Sequence, residues 1–470
     1  MTPLWSVAEV LAATGGRGAG ITDGPVSAIS IDSRELPKGA LFVAIKGDTH
    51  DGHDFVPKAL EDGATAALVS AEWFERSGGG GWMIVVPDTL EALRGLARAA
   101  RARSAAKIVA VTGSAGKTTT KEAIRGVFET LGPTHASIKS FNNHWGVPLM
   151  LSRLSREARY AVFEIGMNHA GEITPLVDLV RPHIAVVTTV AAAHLEFFNS
   201  ITDIARAKAE IFSGLVPGGL AVVNADHDYV HVLRSEARGA GVSRLVTYGW
   251  DEAADWRLVS LTDTQGGSTA QVVHEGETLT LPLSVRGRHM ASNALAALVA
   301  GVEAGGARER VIAALKGFVP PEGRGQTLRL GPPGTPLLLI DESYNANVAS
   351  VEAALSVFSG VKPPAGKKTL ILGDMLELGA QSPMLHAGLA ESVATSGSER
   401  IWLVGENVGA LAEALRARPG FAAELIHVPD AEGLRDRVST ALAYGDAVMV
   451  KGSNGIRLGG LVKLIRERFA

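Results

Sequence analysis

Residues 107–124 read KIVAVTGSAGKTTTKEAI, and the order of side chains in this stretch sets the fold around it. A β-branched apolar run stops at a turn holding Gly113 and Gly116, and a helix-compatible stretch follows. Glycines let consecutive backbone N–H groups converge on phosphate oxygens, and the helix that follows presents its positive end. Lys117 is placed to reach the outer phosphates and the Thr118 hydroxyl to ligate Mg2+. Thr112, Gly113, Ser114, Ala115, Gly116, Lys117, Thr118 and Thr119 are therefore the candidate nucleotide loop. The general phosphate-loop pattern asks for glycine where Val111 stands, so this is a shortened form. ATP is favoured over GTP, because no Asn-Lys-x-Asp guanine reader is present and NADHD at 224–228 is only a distant look-alike.

Downstream of this loop, YAVFEIG, IAVVTTV and LAVVNAD alternate with helical stretches, as in a mostly parallel sheet covered by helices. RLVSLTD, AQVVHEG and TLTLPLSV then predict a small antiparallel patch, and FVPPEGRGQ with GPPGTP reads as a hinge. Beyond it LLLIDE, KTLILGD, IWLVGE, ELIHVPD and AVMVKGS describe a doubly wound sheet of Rossmann type without a dinucleotide fingerprint. Upstream, short strands and helices make a small α/β unit. The expectation is an α/β protein of three domains, at 1–105, 106–320 and 321–470.

Composition narrows the function. The chain has 470 residues, of which 46% are hydrophobic and 20% charged, so a globular enzyme is expected rather than a disordered chain. Lys plus Arg number 45 against 49 Asp plus Glu, which gives no basic excess for binding nucleic acid. With no cysteine, disulfides, thiolate nucleophiles and cysteine zinc sites are excluded. No uncharged run reaches the ~18 residues of a membrane span and no basic leader is visible, so a cytoplasmic protein is expected; a monomer is expected separately.

Several segments resemble the Mur ligases of peptidoglycan synthesis: TGSAGKTT, FNNHWGVPL at 141–149, EIGMNHAGEI at 164–173, AHLEFF, AKAEIF, SNALAA at 292–297 and GRGQ at 323–326. DESYNANVAS and LGDMLELG are similar to segments of the family member that adds D-alanyl-D-alanine to UDP-N-acetylmuramoyl tripeptide. Glu342 and Val348 depart from the Asp and Pro expected there. The resemblance implies carboxylate activation by ATP and Mg2+ to an acyl phosphate, which the amine of the dipeptide then attacks.

It also implies roles for side chains that have ordinary readings on their own. Lys117, Glu164, His194 and Lys208 become catalytic, with Thr118, Glu164, His194 and a carbamylated Lys208 around the metal. Asn293, Arg324 and Asp341 become nucleotide contacts from two domains. Asp32, Ser33, Arg34, Lys46, Gly47 and His53 in the first domain are implied for the uridine nucleotide, Asn142 and Asn143 for the acceptor and phosphates, and Tyr344 and Asn345 for the dipeptide. The diaminopimelate- or lysine-adding ligase is the alternative within the family, but the Asn-Pro-Arg stretch it should carry is missing. A phosphate-loop ATPase without ligase chemistry is the alternative outside it, and leaves Glu164, His194 and Lys208 unused.

Overall fold

The computed structural model describes residues 3–47, 49–138, 140–193, 195–264 and 266–470. Three main sheets follow one another along the chain, and the phosphate-loop strand lies inside the second. That nine-stranded sheet runs, edge to edge, through residues 277–283, 267–274, 256–264, 244–249, 220–224, 184–187, 107–112, 160–164 and 134–136. Its strands pair in parallel from 134–136 through to 256–264. The predicted antiparallel patch is an extension of this sheet: Trp256–Thr264 joins 244–249 only at Tyr248 and Gly249, then turns back through two antiparallel pairings.

Lys107–Thr112 shows why an unbroken apolar run is read here. Ile108 and Ala110 point into one core with Phe163 and Val187, while Val109 and Val111 point into another with Ile124 and Val186. A parallel strand covered by helices on both faces must be apolar on both, and each fully buried valine is worth roughly 1.5–3 kcal/mol. The helix Lys117–Leu131 buries Ile124, Val127 and Phe128 against the alanine-rich helix Arg288–Glu303. Close approach requires Gly301, since a Cβ there would lie 2.8 Å from the Val127 side chain.

The first sheet, of five strands, orders residues 17–19, 83–86, 66–70, 40–43 and 28–30, with all but the 17–19 edge parallel. It is fastened to the central sheet by Trp5, whose Nε1 donates to the Ser152 carbonyl at 2.9 Å, and by Arg153, whose Nε donates to the Ile29 carbonyl at 2.7 Å. The third sheet, of six strands, orders residues 326–330, 337–342, 447–451, 368–373, 400–404 and 424–428. Only its 326–330 edge is antiparallel, and separate apolar cores lie on its two faces. Successive, mostly parallel sheets covered by helices give the α/β class expected from the strand pattern. No described helix is long and apolar enough to cross a membrane.

Candidate active site

The nucleotide loop leaves the strand 107–112 at its carboxyl edge, where parallel α/β sheets place their ligand crevices. Gly116 takes φ 80° as it enters the helix, a left-handed conformation that glycine adopts without Cβ strain. Within the loop, the Lys117 Nζ donates to the Gly113 carbonyl at 2.8 Å and the Thr188 hydroxyl to the Ala115 carbonyl at 2.5 Å. The adjacent strand 160–164 delivers Glu164, only 1% exposed, to the same edge. Its carboxylate accepts from the Thr118 hydroxyl at 2.6 Å and from the Asn142 amide at 2.7 Å. The Thr118 and Glu164 oxygens belong to residues 46 apart in sequence, brought together because the strand that leads into the Thr118 helix is the neighbour of the strand that Glu164 ends.

Burial pushes the Lys117 ammonium below its usual pKa, while Glu164 opposes the shift. Lys208 is 1% exposed, and burial together with the Lys117 cation drives its amine well down. His194 lies outside the described residues. Among the described residues no group of three or more His, Asp or Glu side chains is placed to hold a metal. The hard oxygens of Thr118 and Glu164 nevertheless converge in a pair that suits Mg2+, whose remaining positions are normally filled by phosphates and water. Lys208 lies near enough to Lys117 for the two cations to repel.

A cavity of about 1140 Å3 extends from this loop to the third sheet. Ser114 to Thr119, Asn142, Glu164 and Asn293 line it from the central part, Arg324 from the Gly-rich stretch before the strand 326–330, and Tyr344 and Asn345 from the loop after the strand 337–342. Asn293 accepts from the Thr120 hydroxyl at 3.2 Å, so its amide rests against the loop. Arg324 stacks over the Tyr344 ring at 4.0 Å, and the Tyr344 hydroxyl donates to Ser140 of the central part at 2.7 Å.

Some predicted residues make framework bonds. Asn143 accepts from the Gly146 N–H and shapes the turn before Pro148. Asp341 is buried and accepts from the Gly323 and Ser343 N–H groups and the Ser343 hydroxyl, which holds the hinge from behind the cavity. Val348, at the position where proline was expected, opens the helix 348–359 with Asn347 as its cap. NADHD at 224–228 lines the same cavity, and it is held there by framework bonds: Asn224 donates to the Thr188 carbonyl, and Asp226 accepts from the Trp250 and Asp251 N–H groups.

In the first sheet, the loops carrying Asp32 and Lys46 leave neighbouring parallel strands at one edge. Arg34 pairs with Asp32 in a two-pronged contact at 2.7 and 2.9 Å and is exposed. Ser33 lies between them, and Gly47 donates its N–H to the His50 carbonyl. His53 is buried with both ring nitrogens engaged, one on Asp51 at 2.6 Å and one accepting from the Ser70 N–H.

Sequence reasoning missed Lys451. It ends the strand 447–451, is 1% exposed, and places its Nζ 3.0 Å from the Asn345 carbonyl and 3.6 Å from Glu342. Burial pushes the Glu342 carboxyl up and the Lys451 amine down. The available signal was a lysine closing the apolar run AVMV just before Gly-Ser.

Comparison with known proteins agrees with this arrangement. Residues 25–101 match the profile described as Mur ligase family, catalytic domain, residues 111–301 the Mur ligase middle domain, and residues 323–454 the Mur ligase, glutamate ligase domain. The UDP-N-acetylmuramoyl-tripeptide--D-alanyl-D-alanine ligase of Escherichia coli K12 is 35% identical over 453 residues, covering 96% of this chain and 95% of the relative. The chain belongs to the Mur ligase family. The ligase of the same name from Bacillus subtilis is 31% identical, covering 94% of this chain and 93% of the relative. A crystal structure of MurF from Acinetobacter baumannii superposes with a TM-score of 0.83 at 30% identity, covering 98% of this Mur ligase and 99% of that chain. MurF from Thermotoga maritima in complex with ADP shares the fold, with a TM-score of 0.76 at 24% identity, over 94% of this chain and 97% of that one.

Proposed function

We propose that this Mur ligase joins D-alanyl-D-alanine to the terminal carboxylate of UDP-N-acetylmuramoyl tripeptide, converting ATP to ADP and phosphate. The observation that carries the reading is one cavity shared between a nucleotide loop and the strand ends of the third sheet. It is supported by relatives of that name matched along nearly their whole length. A carboxylate does not react with an amine at neutral pH, so it is activated first. One of its oxygens attacks the γ-phosphorus, the bond to the ADP oxygen breaks, and an acyl phosphate forms. The dipeptide amine then attacks the acyl carbon through a tetrahedral intermediate, gives up a proton, and phosphate leaves.

In this reading residues 106–320 hold ATP, with Lys117 and the loop amides compensating charge that builds on the transferring phosphoryl group. Thr118 and Glu164 hold Mg2+, with His194 and Lys208 beside them. When bound, the ion neutralises phosphate charge. The low pKa of Lys208 favours its neutral amine, the form that takes up carbon dioxide to become a carbamate. Asn293 and Arg324 lie along the nucleotide. Residues 1–105 take the uridine diphosphate end, for which Arg34 and the loop at Lys46 and Gly47 supply a cation and backbone donors. Residues 321–470 take the dipeptide between Tyr344, Asn345 and the Glu342–Lys451 pair, whose opposite charges match its amine and carboxylate. All parts of the reaction are supplied by one chain, consistent with a monomer, and both nucleotide substrates belong to the cytoplasm.

The test is phosphate release with ATP, Mg2+ and UDP-N-acetylmuramoyl tripeptide, comparing D-alanyl-D-alanine, D-alanine, diaminopimelate and lysine, with product masses recorded. Dependence on the dipeptide and a pentapeptide product are expected. Release that ignores every amine would instead indicate an ATPase.

A further inference from the structure

Asn347 is 9% exposed and stands at the start of the helix Val348–Ser359, at the face of the third sheet that meets the nucleotide loop. Its side chain makes two bonds of opposite sense. Oδ1 accepts from the Ser350 N–H at 2.9 Å, and the Ser350 hydroxyl accepts from the Asn347 N–H at 3.0 Å, which together cap the helix. Nδ2 donates to the carbonyl oxygen of Ser114 in the nucleotide loop at 3.1 Å, across 233 residues of sequence. Both partners fix the amide's orientation, because the flipped amide would set a donor against a donor and an acceptor against an acceptor.

The carbonyl it holds matters for phosphate binding. Ser114 is tied down from the central sheet, its N–H donating to the Thr189 carbonyl at 2.8 Å and its hydroxyl to the Ala191 carbonyl at 2.9 Å. In a trans peptide the C=O and the following N–H point in opposite directions. Turning the Ser114 carbonyl out toward Asn347 therefore aims the Ala115 N–H to the other side, into the loop. Thr188 does the same one residue on: its bond to the Ala115 carbonyl aims the Gly116 N–H inward. The loop's donors are thus set from two sides, one of which belongs to the third sheet.

We infer that Asn347 is a positioning residue for phosphoryl transfer: docking of the C-terminal sheet sets the peptide plane whose N–H holds the nucleotide's phosphates. The inference rests on the ligase reading for its kinetic consequence, but its binding consequence can be measured separately. In the full chain, Asn347→Asp keeps an oxygen to cap the helix and loses the N–H given to Ser114. Asn347→Ala loses both. The measurements are the thermal midpoint without nucleotide, the Kd of β,γ-imido-ATP, and kcat/KM for ATP.

We expect Asn347→Asp, which keeps the helix cap, to melt below the wild type but above Asn347→Ala. Both are expected to bind the analogue about tenfold more weakly, the scale of one lost hydrogen bond with a carboxylate or a gap facing the carbonyl. Wild-type affinity in Asn347→Asp overturns the inference. So does a fall in its thermal midpoint as large as that of Asn347→Ala, because the weaker binding would then follow from a damaged fold. If the wild type makes no pentapeptide product, the ligase reading fails, while the comparison of analogue affinities still decides the role of Asn347.

Discussion

Replacing Thr118 by valine removes one oxygen and nearly preserves shape, which isolates the hydroxyl that links the nucleotide loop to Glu164. That hydroxyl donates at 2.6 Å to a carboxylate that is 1% exposed and is left with the Asn142 amide as its other side-chain donor. A hydrogen bond to a buried charged group contributes about 1.5–3 kcal/mol. At about 2–4 °C per kcal/mol for a domain of this size, Thr118→Val should lower the thermal midpoint by about 3–12 °C. The effect on turnover should be larger, because the same oxygen is the proposed Mg2+ ligand. Removing a group that compensates transition-state charge typically costs about 100- to 1000-fold in rate. Thr118→Ser retains the oxygen and should stay within about threefold of wild type, since only a methyl group is lost. Phosphate release coupled to pentapeptide formation, with thermal unfolding alongside, measures both. Wild-type kcat/KM in Thr118→Val would refute metal binding through this hydroxyl, and an unchanged midpoint would refute the link to Glu164.

Three further outcomes follow from the same geometry. Lys117→Ala should abolish turnover while the chain still folds, because the amine's recorded bond is to a carbonyl of its own loop; circular dichroism with phosphate release checks this. Lys208→Ala should be inactive, with partial rescue by added formate or acetate if a carbamate is the working form. Rescue is read from the dependence of rate on carboxylate concentration, and its absence would remove the carbamate from the proposal. His135 donates to the Met150 carbonyl from a half-buried position, and desolvation there lowers its pKa from 6.5 to about 4. The unfolded chain therefore takes up this proton first as pH falls. Stability from the neutral ring is present above pH 6.5 and is lost progressively toward pH 4, by about 3 kcal/mol in all. His135→Gln should make the acid limb of a plot of unfolding free energy against pH shallower, the rest being kept by His183, His227 and His289, and an unchanged slope would rule out a contribution from His135.

The nucleotide loop was legible in the sequence because its chemistry is local: consecutive backbone amides, two glycines and Lys117 occupy one short stretch, and a strand-to-helix turn needs no distant partner. The strands were legible for a related reason, since burial on both faces of a parallel sheet demands unbroken apolar runs such as IVAV and AVF. Glu164 was placed by resemblance rather than by pattern, as one acidic residue ending a strand carries no distinguishing signal. Lys451 went unseen because a lysine after an apolar run reads as a solvated strand end, and only the packing of Glu342 against it shows otherwise.

By itself, then, the sequence determined the three α/β units and the chemistry of the phosphate loop, because periodicity and backbone conformation are set over a few neighbouring residues. The tertiary structure decided which carboxylate faces Thr118, that His53 bridges Asp51 and the Ser70 N–H, and that Asn347 reaches Ser114. Those contacts depend on strand order and on how the third sheet docks against the second. Both are settled by the burial of whole faces, and a short stretch of sequence does not record them.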